Sequence, residues 1–245
     1  MLSIIIPTWN EENYLPKLLD CIKKQTYKNY EIIVVDGNST DNTLKIAKKY
    51  GCRVFREPKD IKGHPGIARN IGSKHAKGDI LLFLDADVQI GNSFLEKALK
   101  DFTEKNLDIA GFYFVPLSNK FIYKIIIGVY NFLIGITQKF YANASGCALF
   151  CKKWLFRKVR GFDESIKLAE DFDFVSRCSK FGNFRIIKNA KVNFSVRRFK
   201  IEGILKVTFS YILSGTYRIF FGPDRKNIFR WTTYSQLNKK LNQWL

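Results

Sequence analysis

Five apolar residues in a row, Ile80 to Leu84, run directly into Asp85 and Asp87, with Gln89 two positions further on. Such a run has the length and composition of a strand buried on both faces, where ionisable groups are normally avoided. Two carboxylates two positions apart at a strand end leave on the same side and repel each other unless a cation lies between them. Hard oxygen donors in a small cluster suit Mg²⁺ or Mn²⁺, which keep waters and take substrate phosphates as further ligands. Gln89 offers its amide oxygen as a third donor. An isolated pair of this kind also reads as solvated turn carboxylates capping a helix that starts near Asn92. This pair is not isolated. Asp36 follows "EIIVV" as Asp85 follows "ILLFL", and Asn10, Glu11 and Glu12 follow "SIIIP". A wholly acidic rim repels a phosphorylated ligand, so a divalent ion and the nearby cations Lys62, His64 and Arg69 belong to the same expectation. The glycines of "KGHPGIARN" allow close backbone approach, and the helix after them offers amide N–H groups to an anion.

The elements that must hold these groups repeat one pattern over residues 2 to 110. Apolar runs of four or five alternate with helical stretches of about ten to twelve residues, the signature of βαβ units with right-handed crossovers and a parallel sheet. Ligands of open sheets of this type bind beyond the carboxyl ends of the strands. By that rule "PTWNEE", "DGNST" and "DADVQ" face one crevice. After Asp108 the order changes. "IAGFYFVPL" and "ASGCALFCKKWLF" read as strands, and a helix opens at "AEDFDFVSRCSKFG". Residues 185 to 245 carry 13 lysines and arginines against 2 acids and read as a helical, basic, aromatic tail.

A chain of 245 residues, 46% hydrophobic, can bury one substantial core, and its net charge of +19 asks for an anionic partner. Cys21, Cys52, Cys147, Cys151 and Cys178 form no CxxC pair, so neither a disulfide framework nor a zinc site is expected, and a reducing cytosol fits. "MLSIIIPTWNEE" lacks the basic start and cleavage site of a secretory signal and reads as a strand and its loop. The apolar segment Phe121 to Thr137, interrupted by Lys124 and Asn131, is short for a membrane span and reads as interfacial or buried.

"SIIIPTWNEENYLPKLLDCIKKQTYKNYEIIVVDGNSTDNT", "GIARNIGSKHAKGDILLFLDADV" and "GCALFCKKWLFRKVRGFDESIKLAEDFDFVSR" together resemble the family 2 glycosyltransferases of the GT-A fold, over about residues 2 to 198. The resemblance implies an α/β chain with a Rossmann-like, mostly parallel central sheet flanked by helices. The domain would span residues 1–198, with a nucleotide-binding half to about 110 and an acceptor half from 111, followed by a basic amphipathic helical segment, 199–245. It implies transfer of a sugar from a UDP- or GDP-linked donor to a hydroxyl of a glycan or lipid-linked acceptor, with inversion and with Mn²⁺ or Mg²⁺. Pro7, Trp9, Glu11 and Asp36 would hold the nucleoside, Trp9 standing where the family often has tyrosine. Asp85 and Asp87 would take the metal and diphosphate, and Arg69 would lie near the diphosphate or sugar. Glu170 and Asp171 open a helix, where carboxylates also serve as caps, and the resemblance points to Asp171 as general base, with Asp173 as its substitute.

Other readings stay open. "DADVQ" is similar to the metal motif of dolichyl-phosphate mannose synthases, whose phosphate acceptor needs no base. "NIFRW", Asn227 to Trp231, resembles the QxxRW motif of processive synthases by coincidence. A nucleic-acid-binding protein with Arg197 and Arg198 on phosphates is the reading from another class, but the acidic rim argues against it and no nucleic acid is expected. The chain is expected in the cytoplasm, with peripheral contact to an anionic inner membrane face.

Overall fold

The apolar runs pair as their composition demands. The computed structural model describes residues 1–138, 140–166 and 169–221. Its first half comprises β1 (Leu2–Thr8), α1 (Leu15–Lys23), β2 (Tyr30–Asp36), α2 (Thr43–Lys49), β3 (Arg53–Arg56), α3 (Pro65–His75) and β4 (Ile80–Leu84). Then come β5 (Gln89–Ile90), α4 (Phe94–Glu104), β6 (Ile109–Pro116), α5 (Phe121–Thr137), β7 (Ala148–Lys152) and α6 (Lys153–Lys158). The last are α7 (Glu170–Ser179), β8 (Phe184–Phe194), α8 (Arg197–Glu202) and α9 (Ile204–Phe221).

One sheet runs in the order β3-β2-β1-β4-β7-β6-β8-β5. β1, β2, β3 and β4 are parallel to one another, as the βαβ pattern predicts. Beyond β4 the sheet is mixed. β7 runs antiparallel to both β4 and β6, β6 runs parallel to β8, and β5 runs antiparallel to β8. Side chains along β4 alternate between two cores: Leu82 and Leu84 enter the layer under α1 and α4, while Leu81 and Phe83 enter the layer with α3 and α7. Burial on both faces explains the unbroken apolar run.

Two antiparallel pairings bring distant chain to the end of β4. Leu84 pairs with Ala148, and the Asp85 N–H donates to the Cys147 carbonyl at 3.1 Å, so the loop before β7 lies against Asp85. Gln89 pairs with Asn193, so the residues that follow β8 lie beside Asp87.

The expected helical tail from residue 185 needs correcting, because its first part is the long strand β8. The charged Arg185, Lys188 and Lys191 mask the strand in sequence, yet Ile186, Ile187, Ala190 and Val192 are buried. Helix begins only with α8. "NIFRW" and the rest of the basic tail from residue 222 lie outside the described residues. All five cysteines are free. Among the described residues no helix is long and apolar enough to cross a membrane.

Candidate active site

Asp85 and Asp87 lie in a turn, not on a continuing strand, so the alternation that would send both side chains the same way does not apply. Each carboxylate meets a different buried arginine. Arg69, on α3, donates from Nη2 to Asp85 Oδ1 at 2.9 Å and to the Gly146 carbonyl at 3.3 Å, and from Nη1 to Glu170 Oε1 at 2.6 Å. Its guanidinium also lies 5.4 Å from the centroid of the Phe162 ring. Burial alone would favour losing its charge, but Asp85, Glu170 and Asp171 more than offset this and hold it protonated. Glu170 is pushed up to about 7 by burial and by the Asp171 charge, against the pull of Arg69.

Asp171 is half-buried beside this knot. Its Oδ2 accepts from the Gly146 N–H at 2.6 Å and its Oδ1 from the Phe172 N–H at 2.8 Å. Gly146 fits only because it lacks a side chain, since a β-carbon there would lie 2.8 Å from Arg69 Nη2 and 2.9 Å from the Asp171 β-carbon. Asp173, the expected substitute, is tied to Arg177 Nε at 2.7 Å.

Asp87 instead faces Arg197, whose Nε lies 3.0 Å from Asp87 Oδ2. The same guanidinium donates from Nη1 and Nη2 to the two oxygens of Glu11, at 3.0 and 2.7 Å, and covers the Tyr14 ring at 4.3 Å. Burial pushes Glu11 up to about 7 despite Arg197. Sequence reasoning missed this role for Arg197, naming the residue only as a phosphate contact within the nucleic-acid reading that it argued against. It is in fact 5% exposed and committed to carboxylates. Only the general basicity of the tail could have drawn attention to it. Gln89 is half-buried and lines a cleft of about 390 Å³ with Tyr14, Lys17, Asp87, Arg197 and Lys200.

The first loop gathers the remaining expected residues. Asp36 is fully buried, and its Oδ2 accepts from the Ser39 N–H at 3.0 Å. Pro7 and Trp9 are half-buried, and Gly63, at φ +63°, packs so closely on the Trp9 indole that any β-carbon there would collide with the ring. One face of Trp9 is thus covered by the 57–64 loop. Asn38 fastens that loop by donating to the carbonyls of Pro58 and Ile61 at 2.9 and 2.8 Å.

Near the start of α3 two backbone N–H groups are already engaged. The Glu57 carboxylate accepts from the His64 N–H at 3.0 Å, and His64 Nδ1 accepts from the Ile67 N–H at 3.3 Å. Glu57 is itself pushed up to about 7 by burial.

The donor set fits a divalent ion by charge. Glu11, Asp85, Asp87 and Glu170 pair with Arg69 and Arg197, four carboxyls to two guanidiniums. Burial pushes Glu11, Asp85 and Glu170 up, and neighbouring carboxylates add to it, Asp87 acting on Asp85 and Asp171 on Glu170. No group of three or more Asp, Glu, His or Cys side chains able to hold a metal occurs among the described residues. That is compatible with Mg²⁺ or Mn²⁺, which take one or two carboxylates and complete their shells with water and phosphate.

The α/β fold, a mixed sheet with flanking helices, is that of the GT-A glycosyltransferases. A mannosyltransferase from Pyrobaculum calidifontis, solved with GDP-Man and Mn²⁺, superposes with a TM-score of 0.66 at 20% identity, covering 99% of this chain and 74% of that one. Residues 1–349 of Staphylococcus aureus TarS with UDP give 0.64 at 22%, covering 99% and 77%. The glycosyl transferase family 2 model matches residues 3–159, and the chain belongs to that family. In sequence, the S. aureus poly(ribitol-phosphate) β-N-acetylglucosaminyltransferase TarS is 36% identical over 112 residues, 44% of this chain. The minor teichoic acid biosynthesis protein GgaB of Bacillus subtilis is 31% identical over 215 residues, 80% of this chain. The matched regions span only 20% and 23% of the lengths of those two relatives.

Proposed function

We propose that the chain transfers a sugar, with inversion, from a UDP- or GDP-linked donor to a hydroxyl of a glycan or lipid-linked acceptor, in the cytoplasm and in peripheral contact with an anionic membrane. One juxtaposition carries the reading: Arg69 ties Asp85 at the end of β4 to Glu170 at the head of α7, with Asp171 held beside both by the Gly146 N–H. Asp85 and Asp87, with Gln89 at the cleft edge, would hold Mg²⁺ or Mn²⁺. When bound, the ion supplies Lewis-acid stabilisation of the diphosphate as it leaves.

The residues of the chain do the rest. Asp171 accepts the proton of the acceptor hydroxyl as its oxygen bonds to the anomeric carbon and the bond from that carbon to the diphosphate oxygen breaks. The two N–H groups on its oxygens fix the carboxylate in direction, and Arg69 fixes Glu170 and Asp85 relative to it. Pro7, Trp9, Glu11 and Asp36 form the nucleoside side of the crevice. A screen of UDP-, GDP- and dTDP-sugars with Mn²⁺, by calorimetry and by release of the nucleoside diphosphate, tests the reading. Binding and hydrolysis of one donor class is expected, and neither with any donor would overturn it.

A second reading, transfer to a phosphate oxygen as in the dolichyl-phosphate mannose synthases, is favoured by the lysines and arginine lining the cleft beside Asp87. An acceptor oxygen already ionised needs no base, so turnover in Asp171→Asn separates the two.

A further inference from the structure

Helix α5 is apolar on two opposite sides. Tyr123, Ile127 and Ile134 are buried, as a helix packed on a sheet requires. Phe121, Ile125, Val129, Phe132 and Ile136 are all exposed, Phe121 by 75% and Phe132 by 66%. At about 100° per residue these five fall within an arc of roughly 80°, centred opposite the buried side. An amphipathic helix of a water-soluble surface carries charged residues there. Helix α9 repeats the arrangement: Val207 is buried, while Leu205, Phe209, Ile212 and Leu213 are exposed on the other side. Both helices pack on one small cluster, Tyr123, Val196, Phe199 and Val207, with the Tyr123 and Phe199 rings 5.9 Å apart.

We infer that the outward faces of α5 and α9 form one docking surface for an anionic lipid bilayer, which the protein enters to the depth of the headgroups without crossing. Charge selects this occupant. Lys120, Lys124, Lys200 and Lys206 are exposed beside the stripes, with Glu202 the acid in the groove between the two helix starts. Cations edging an exposed apolar stripe match acidic headgroups above acyl chains. Length rules out a span: the 17 residues of α5 reach about 25 Å, against a hydrocarbon core of about 30 Å. A second copy of the chain, also strongly cationic, would set these lysines against their own kind.

The surface also adjoins the active site. Lys200 lines both the cleft beside Asp87 and the groove of about 750 Å³ bounded by Lys120, Tyr123 and Leu205. Docking therefore sets the open side of the site near the headgroups, where a lipid-linked acceptor presents its sugar or phosphate. The inference gives a location to the membrane contact in the proposed function and rests on that reading only for the acceptor.

Flotation of the full chain with vesicles tests it. Recovery with phosphatidylglycerol-containing vesicles at low salt should exceed that with pure phosphatidylcholine, or at high salt, by about tenfold or more. The double variants Phe132→Ser/Phe209→Ser and Lys120→Glu/Lys124→Glu should each abolish most of that recovery. Their unfolding temperature and donor hydrolysis in solution should stay unchanged, because these side chains are exposed and touch nothing in the site. Recovery equal for the two lipids, absent for both, or untouched by the variants would overturn the surface. So would a dimer in sedimentation that Phe132→Ser dissolves, since the occupant would then be a second copy. Donor hydrolysis lost everywhere with flotation intact would count against the enzyme reading alone.

Discussion

The two arginine knots at the end of β4 look alike and are built differently. Arg69 is walled in by Phe162 and the core layer that includes Phe83 and Phe174, and it joins α3, the turn after β4, the loop before β7 and α7. Arg197 is equally buried but lines the cleft that also holds Lys17 and Lys200, and it joins the first loop and the turn after β4 to the start of α8. The first knot orients the groups proposed to do the chemistry. The second fastens the C-terminal helices, and so the proposed lipid-facing surface, to the first loop and the same turn. An aspartate pair can therefore answer to two parts of the fold at once.

The sharpest contrast lies in rate. Asp171→Asn, beside the Arg69 knot, keeps the shape and removes the base, so turnover should fall about 10²- to 10⁴-fold while donor affinity stays unchanged. Steady-state kinetics with saturating acceptor, alongside calorimetry with donor, reads both. An unchanged rate points to a phosphate acceptor.

Next comes stability. Arg69→Met leaves Asp85 and Glu170 without their counter-ion in a dry site, at a cost of about 3–5 kcal/mol. Arg197→Met should cost less, because its guanidinium lines a cleft that water reaches. Urea unfolding of both variants at pH 7 makes the measurement, and equal losses would erase the distinction between the knots.

The pH dependence adds a third, smaller effect. The folded state holds protons on Glu11, Glu57 and Glu170 up to about 7, whereas the unfolded chain releases them near 4.5. The folded form thus binds more protons between those values. Stability is full below about pH 4.5 and falls as pH rises toward about 7. Glu57 lies outside both knots, so Glu57→Gln should flatten the profile by on the order of 1–3 kcal/mol without altering either. A melting temperature that instead climbs with pH over this window would show that these three carboxyls do not govern it.

The smallest effect belongs to the loop over Trp9. Gly63→Ala requires a left-handed backbone in a residue with a side chain and forces it into the indole, costing about 1–2 kcal/mol. Donor affinity should weaken with little change in turnover at saturation. Loss of turnover at unchanged affinity would detach this loop from the nucleoside.

How much of this was legible in the sequence depends on how local each signal is. β4 could be read because Leu81 to Leu84 are buried on both faces, and Asp36 and Asp85 because they end such strands. Glu57 was missed: its neighbours Arg56, Pro58 and Lys59 suggest an ordinary polar loop, and only folding buries it against Gly37 and the His64 N–H. β8 was missed because its outward positions carry charge, which reads as a solvated tail until β6 is seen beside it.

By itself the sequence determined the parallel half of the sheet, the crevice at its carboxyl edge, the family, and the carboxylates that gather at that edge. Periodicity and motif spacing are properties of neighbouring residues, and these features are written in neighbours. The tertiary structure alone decided what those carboxylates meet. Arg69 reaches Glu170 across 101 positions and Arg197 reaches Glu11 across 186. Both contacts exist because β7 and β8 enter the sheet where they do, a choice made by strand pairing and shared burial over the whole chain. No local pattern records it.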